Sequence, residues 1–241
     1  MDMDTGERET RAVKCEMHLH TAGASPCARV EAEEIARLYS EAGYGAIAVT
    51  NHYMKHLFEN YYPPMSDLKK AEMYLGFYRE LKEKCRPYGI KVFLGMELNP
   101  DCMNIEVTPQ VEFLCYGVTE EFLLRHPRLF DLSQSQLYGL FEENGILMYQ
   151  SHPFRGYCYR ANPKLMHGVE AHNGHPGHQS NNGQALAFAK EHNLLQIAGS
   201  DFHEGAITSG IYIPDDIEDD AGLVKYLRSG NPPLIVKRDE S

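Results

Sequence analysis

The chain has no apolar run approaching the roughly 20 residues that cross a bilayer, so the sequence argues against a membrane span. It has no Cys-x-x-Cys pair. Its six cysteines, at 15, 27, 85, 102, 115 and 158, are scattered, several within apolar runs. That spacing disfavours a disulfide framework and fits reduced, buried thiols in a cytoplasm. Positive charge is scarce: 23 Lys and Arg stand against 34 Asp and Glu, a net charge of −11. Long nucleic acid needs a basic face, which this balance does not supply. A single nucleotide held through cations stays compatible, because bound ions dominate a local field. Also missing are a Walker-type loop, Gly-x-Gly-x-x-Gly, Gly-x-Ser-x-Gly and His-Glu-x-x-His. Their absence removes the commonest nucleotide-binding, serine-hydrolase and zincin templates.

What is present is an ordinary globular balance, 43% hydrophobic and 24% charged over 241 residues. Residues 1–12 are polar and acidic, a tail rather than a secretory signal, and 13–241 make one domain. Period-two alternation predicts a first strand through Val13, Cys15, Met17 and Leu19. Continuous apolar runs predict buried strands at 46–49, 92–96, 146–150 and 195–199, with others at 111–116, 169–173, 211–213 and 234–236. A short excursion is expected through Asn104 to Thr108. Helices are expected at about 32–42, from Ser66 to before Pro87, and at about 120–125, 133–143, 184–192 and 221–228. Leu68, Ala71, Leu75, Tyr78 and Leu81 mark the buried stripe of the second helix. This alternation of strand and helix predicts an α/β fold with a mostly parallel sheet and its site at the strands' C-terminal ends.

That rule singles out residues. His18 and His20, His52, Glu97, His152, His172, and Asp201 with His203 each end a predicted apolar run. Structural histidines have no reason to choose strand ends so regularly. Imidazoles with carboxylates suit zinc, manganese or iron, and the set exceeds the needs of one four-coordinate ion. Two or three metals are therefore expected, with Glu97 bridging. Such a cluster activates water and clamps a phosphate, so phosphate-ester hydrolysis is the expected chemistry. Arg155 follows His152 closely enough to hold a phosphate. His172 and His178 are candidate substrate contacts. His56, His126, His167 and His192 are expected to be structural.

The ordered segments Glu16-Met17-His18-Leu19-His20-Thr21, Val49-Thr50-Asn51-His52, Gly95-Met96-Glu97, Ser151-His152-Pro153 and Gly199-Ser200-Asp201-Phe202-His203 resemble the motifs of the PHP (polymerase and histidinol phosphatase) superfamily. The resemblance spans about residues 13–213. It implies a distorted (β/α)7 TIM-like barrel with a di- or trinuclear metal centre hydrolysing phosphomonoesters or phosphodiesters. It implies that His18, His20, His52, Glu97, His152, Asp201 and His203 are metal ligands; Asp201, His203 and, from its place after His152, Arg155 are expected to form the catalytic group. The sequence departs from the family pattern in three places. Ser25-Pro26-Cys27 stands where fuller members carry another histidine, Glu112 stands where a histidine opens a later motif, and Asn51 replaces a usual aspartate. Glu112 is still able to ligate a metal. Expected partners are a small phosphorylated molecule or nucleotide, neither membrane nor long nucleic acid. Two rival readings remain. One is a catalytically silent metal-bound module that binds a nucleotide or protein. The other is an amidohydrolase, disfavoured because no lysine ends a central strand.

Overall fold

The computed structural model describes residues 11–100 and 110–236. Cys102, the excursion expected at 104–108 and most of the expected tail lie outside the described residues. In chain order the elements are β1 (Ala12–Glu16), α1 (Ala32–Glu41), β2 (Tyr44–Val49), β3 (His52–Met54), α2 (Asp67–Cys85), β4 (Lys91–Asn99) and β5 (Phe113–Tyr116). They continue as α3 (Glu120–Arg125), α4 (Gln134–Asn144), β6 (Leu147–Gln150), β7 (Gly168–Asn173), α5 (Asn182–Glu191), β8 (Leu195–Gly199), β9 (Ser209–Pro214), α6 (Asp220–Arg228) and β10 (Leu234–Val236). Side-chain caps fix several helix starts. Ser66 accepts from Lys69 N ahead of α2, and Ser133 forms a reciprocal capping box with Gln136 ahead of α4.

One sheet runs β10-β9-β1-β2-β4-β5-β6-β7-β8, with β3 alongside β4. It curls until β8 packs beside β9 and β10, a nearly closed barrel. Beyond the strand ends the gap is bridged. His20 N donates to Phe202 O at 2.9 Å, and Phe202 N donates to His18 O at 3.1 Å. The fold is the expected α/β barrel, but not seven regular βα repeats. β5 runs antiparallel to both β4 and β6, β9 runs antiparallel to β1, and no helix joins β4 to β5 among the described residues. A parallel neighbour requires a crossover, whereas an antiparallel one such as β5 beside β4 does not.

Alternation along the strands builds two apolar layers. Ala46, Ala48, Phe93, Leu114 and Tyr149 fill the interior, joined by Leu223 and Leu227 of α6. Ile47, Val49, Leu94 and Met96 face outward onto Tyr39 of α1 and Tyr74 and Leu75 of α2. The α2 stripe differs from expectation at its start. Leu68 is 52% exposed. Counted back at 3.6 residues per turn from Leu81, the buried face passes through Tyr74 to Lys70, whose Nζ donates to Phe58 O. Among the described residues no helix is long and apolar enough to cross a membrane.

Candidate metal centre

The centre begins with a break in β1. Cys15 and Met17 belong to the interior layer, whereas Leu19 belongs to the outer one, so strict alternation fails after Met17. Unbroken alternation would have turned His18 and His20 away from the barrel. Buried Glu16 holds the bend: its Oε1 accepts from Met17 N and His18 N at 2.9 Å each and from Ser200 N at 2.8 Å. Its Oε2 accepts from Tyr39 Oη at 2.8 Å. Desolvation raises the Glu16 carboxyl to about 7, against the pull of these donors. The two histidines thus lie beyond β1, fully buried, with their Nε2 atoms 3.1 Å apart.

Glu97, inward-facing by the parity of Phe93 on β4, occupies the middle. Its Oε1 lies 3.3 Å from His18 Nε2 and 3.2 Å from His152 Nε2. Its Oε2 lies 2.8 Å from His52 Nδ1 and 3.5 Å from His20 Nε2. β3 makes this possible by pairing His52 directly with Glu97. Asp201 Oδ1 closes the ring, 3.3 Å from His18 Nε2 and 3.5 Å from His20 Nε2. Glu112 Oε2 stands 3.6 Å from His152 Nε2. The rings of His52 and His203 flank His20, each with its centroid 4.3 Å away. The structure therefore gathers all eight residues expected as metal ligands into one cluster.

Each inner ring is oriented from behind. His18 Nδ1 meets Glu170 Oε1 at 2.9 Å, His20 Nδ1 meets Ser25 Oγ at 3.3 Å, and His152 Nδ1 meets Cys158 Sγ at 3.5 Å. His203 Nδ1 lies 2.9 Å from Asp201 O. A proton on those outer nitrogens leaves the Nε2 lone pairs of His18, His20 and His152 aimed at one another and at Glu97. Glu97 Oε1 and His52 Nδ1 are buried and make no aligned hydrogen bond, although facing groups lie within 3.3 Å of each. Converging lone pairs repel unless a cation or proton lies among them, so the residues present fit bound divalent cations.

The electrostatics agree. Burial lowers the His18 pKa, but Asp201, Glu170 and Glu97 together raise it well above its ordinary value. His52 is likewise raised, with burial outweighed by Glu97, Cys27 and Glu112 together, and His152 rises to about 10. Burial together with neighbouring His203 and His52 pushes His20 down. Against desolvation, the facing imidazoles hold Glu97 and Asp201 low, whereas burial and Glu97 raise Glu112. His152 and Asp201 both adopt left-handed backbone, φ 29° and 51°, an unfavourable conformation for either residue that the surrounding bonds sustain.

The other expected site residues divide. Arg155 is only 5% exposed. Its Nη2 donates to Asp201 Oδ2 at 2.7 Å and to Asn173 Oδ1 at 2.9 Å, its Nη1 donates to Tyr157 Oη at 3.0 Å, and its Nε–H is unpartnered. It is neither a surface ion pair nor a free clamp. His178 lines the mouth of a cavity of about 500 Å³ with Met54, Gln110, Tyr157, Arg155 and the metal-facing groups. His172 is not among the lining residues; its Nδ1 meets Asn182 Nδ2 of α5 at 3.1 Å. Asn51 accepts from Thr21 N at 2.7 Å and so shapes the loop after His20.

Sequence reasoning passed over Glu170 and Asn173. Glu170 orients His18 and accepts from His152 N at 2.9 Å, while Asn173 Nδ2 donates to both Glu170 and Asp201. The signal was an acid between Val169 and Ala171 in a buried strand, a position that is costly unless the acid is partnered.

No protein-family model matches the chain, and no curated protein matches it. Solved structures do. A two-domain protein from Bacteroides vulgatus, described as containing a predicted PHP-like metal-dependent phosphoesterase, aligns at 19% identity with a TM-score of 0.61. The alignment covers 93% of this chain and 65% of that one, so the chain spans just under two thirds of that protein. PsfC from Pseudomonas syringae aligns at 15% identity and TM-score 0.63, covering 94% and 92%. An amidohydrolase from Chromobacterium violaceum, with bound sulfate and no metal, aligns at 12% identity and TM-score 0.55, covering 94% and 99%. These likenesses show the fold: the chain shares its α/β barrel with the structure described as PHP-like.

Proposed function

We propose that the protein belongs to the PHP superfamily and is a metal-dependent hydrolase of phosphate esters, acting on a small phosphorylated molecule or nucleotide. The observation that carries this reading is Glu97, whose two oxygens face different histidines, the arrangement of a carboxylate shared between cations. His18, His20, Glu97 and Asp201 would hold one ion, Glu97, Glu112 and His152 a second, and His52 with His203 contribute to a further position. Zinc, manganese or iron held by these residues would supply the activation of water and the polarisation of phosphate oxygens.

The chain's own residues supply the rest. Arg155 lines the cavity and places a guanidinium charge beside the metal-facing groups, suited to a phosphate anion bound there. Its bond to Asp201 Oδ2 leaves Oδ1 facing the histidines, so one carboxylate ties the anion-binding group to the metal-facing group. Desolvation and the neighbouring Arg155 charge lower the His178 pKa, and the side chain stands at the mouth of the cavity, placed to hydrogen-bond a leaving group. The cavity volume suits a small molecule, and the net charge of −11 disfavours long nucleic acid. The free Cys15, Cys27, Cys85, Cys115 and Cys158 accord with a cytoplasmic setting.

The test is release of phosphate or aryl alcohol from generic mono- and diesters by protein loaded in turn with manganese, zinc and iron. Metal-dependent turnover, abolished in folded His18→Ala and Asp201→Ala, is expected. Unchanged turnover in those variants would refute the site. The amidohydrolase reading draws on the similar structure so named, but no lysine lines the cavity among the described residues. Turnover of amides in place of esters would favour it.

A further inference from the structure

Cys27 is solvent-accessible, yet it lines the same cavity as His52 and His203, whose imidazoles lower its pKa against desolvation. The turn that carries it is fastened to both histidines. Ser25 Oγ accepts from His52 N at 3.1 Å, and Arg29 N donates to His203 O at 3.0 Å. His52 Nδ1 lies 2.8 Å from Glu97 Oε2 without an aligned hydrogen bond, and the ligand atoms of His20, His52 and His203 lie within 4.8 Å of one another. This side of the centre therefore gathers imidazoles and a thiol, whereas the side around Glu112, Glu97 and Asp201 offers carboxylates. Resting on the metal-centre reading above, we propose that Cys27, with His52 and His203, forms a thiolate-ligated cation position.

The consequence is a centre of mixed softness. A thiolate with two imidazoles selects a thiophilic ion such as zinc, cobalt or ferrous iron over manganese or magnesium. On ligation the thiol proton passes to solvent and a sulfur–metal bond forms; nothing is oxidised or reduced.

Cobalt(II) reports this directly, because a thiolate ligand adds a sulfur-to-cobalt charge-transfer absorption in the near ultraviolet. A second thiol, Cys158, clusters with Glu112 and His152, so Cys158→Ser is the control. The expected result is a charge-transfer band in cobalt-loaded protein that persists in Cys158→Ser and disappears in Cys27→Ser. Cys27→His is expected to keep the metal stoichiometry while losing the band. Alkylation of Cys27 by iodoacetamide, read by peptide mass, is expected to slow at least tenfold on zinc loading. A band that survives Cys27→Ser, or alkylation at the same rate with and without zinc, overturns the assignment. These readouts do not depend on turnover: a Cys27-dependent band in protein that cleaves no ester would retain the ligand and reject the proposed activity.

Discussion

At the scale of single residues, the centre depends on groups that never face the cations. Glu170 fixes the ring of His18 through Nδ1 and also anchors His152 through its backbone N–H. Glu170→Gln preserves shape but weakens the acceptor, and outer partners of metal-bound histidines are worth about 10–100-fold in affinity. Zinc affinity is expected to fall by about that factor with little change in far-ultraviolet circular dichroism. Competition with a chromophoric chelator measures it, and an unchanged affinity would show that Glu170 does not orient the ligand. Asn173 belongs to the same network, dividing its amide between Glu170 and Asp201 while its carbonyl receives Arg155.

At the scale of elements, the decisive contact is between β8 and the segment after β1. A Cβ added at Gly199 would lie 2.4 Å from His18 Cβ and 2.8 Å from His18 N, so only glycine lets the strands approach this closely. Gly199→Ala is expected to cost about 1–3 kcal/mol, the usual range for overpacking, and to displace His18. The check is a denaturant titration together with metal stoichiometry. Wild-type values for both would mean that this approach is not needed. The bend after β1 answers to the same logic. Glu16 gathers four donors at the point where alternation breaks, and that break turns two histidines inward together.

At the scale of the whole molecule, cation binding and stability are linked. A ligand held only by the folded state stabilises it by about 2.7 kcal/mol at a hundred times its dissociation constant. Protein stripped with a chelator is expected to melt at a lower temperature and to recover on adding zinc. The pH dependence follows from the raised histidines. In the metal-free protein His18, His52 and His152 hold their protons more tightly than usual, His152 up to about 10, and a cation must displace them. Metal affinity and the melting gain therefore rise with pH across neutrality and shrink on acidification, with protons released on uptake. Melting curves at pH 6, 7 and 8, with and without zinc, decide it; a gain independent of pH would contradict the assignment of those nitrogens as ligands.

The fold class and most of the centre were legible in the sequence because both rest on local regularities. Apolar runs such as Ala46–Val49 and Leu147–Gln150 can be satisfied only inside a two-sided sheet, and strand ends are where such folds expose side chains. His18, His20, His52, Glu97, His152, Asp201 and His203 were found from that position alone. Tertiary structure decided what periodicity does not encode. β5 turns back against β4, Leu68 falls off the buried stripe, and His172 meets α5 away from the cavity lining. Arg155 is locked onto Asp201, and Glu170 and Asn173 become the supports of the ligands. The supports of the centre depend on partners far along the chain: Glu16 meets Ser200, and His18 meets Glu170, only because the sheet curls into a nearly closed barrel. The sequence determines which groups are worth burying, and only the closed barrel determines which of them meet.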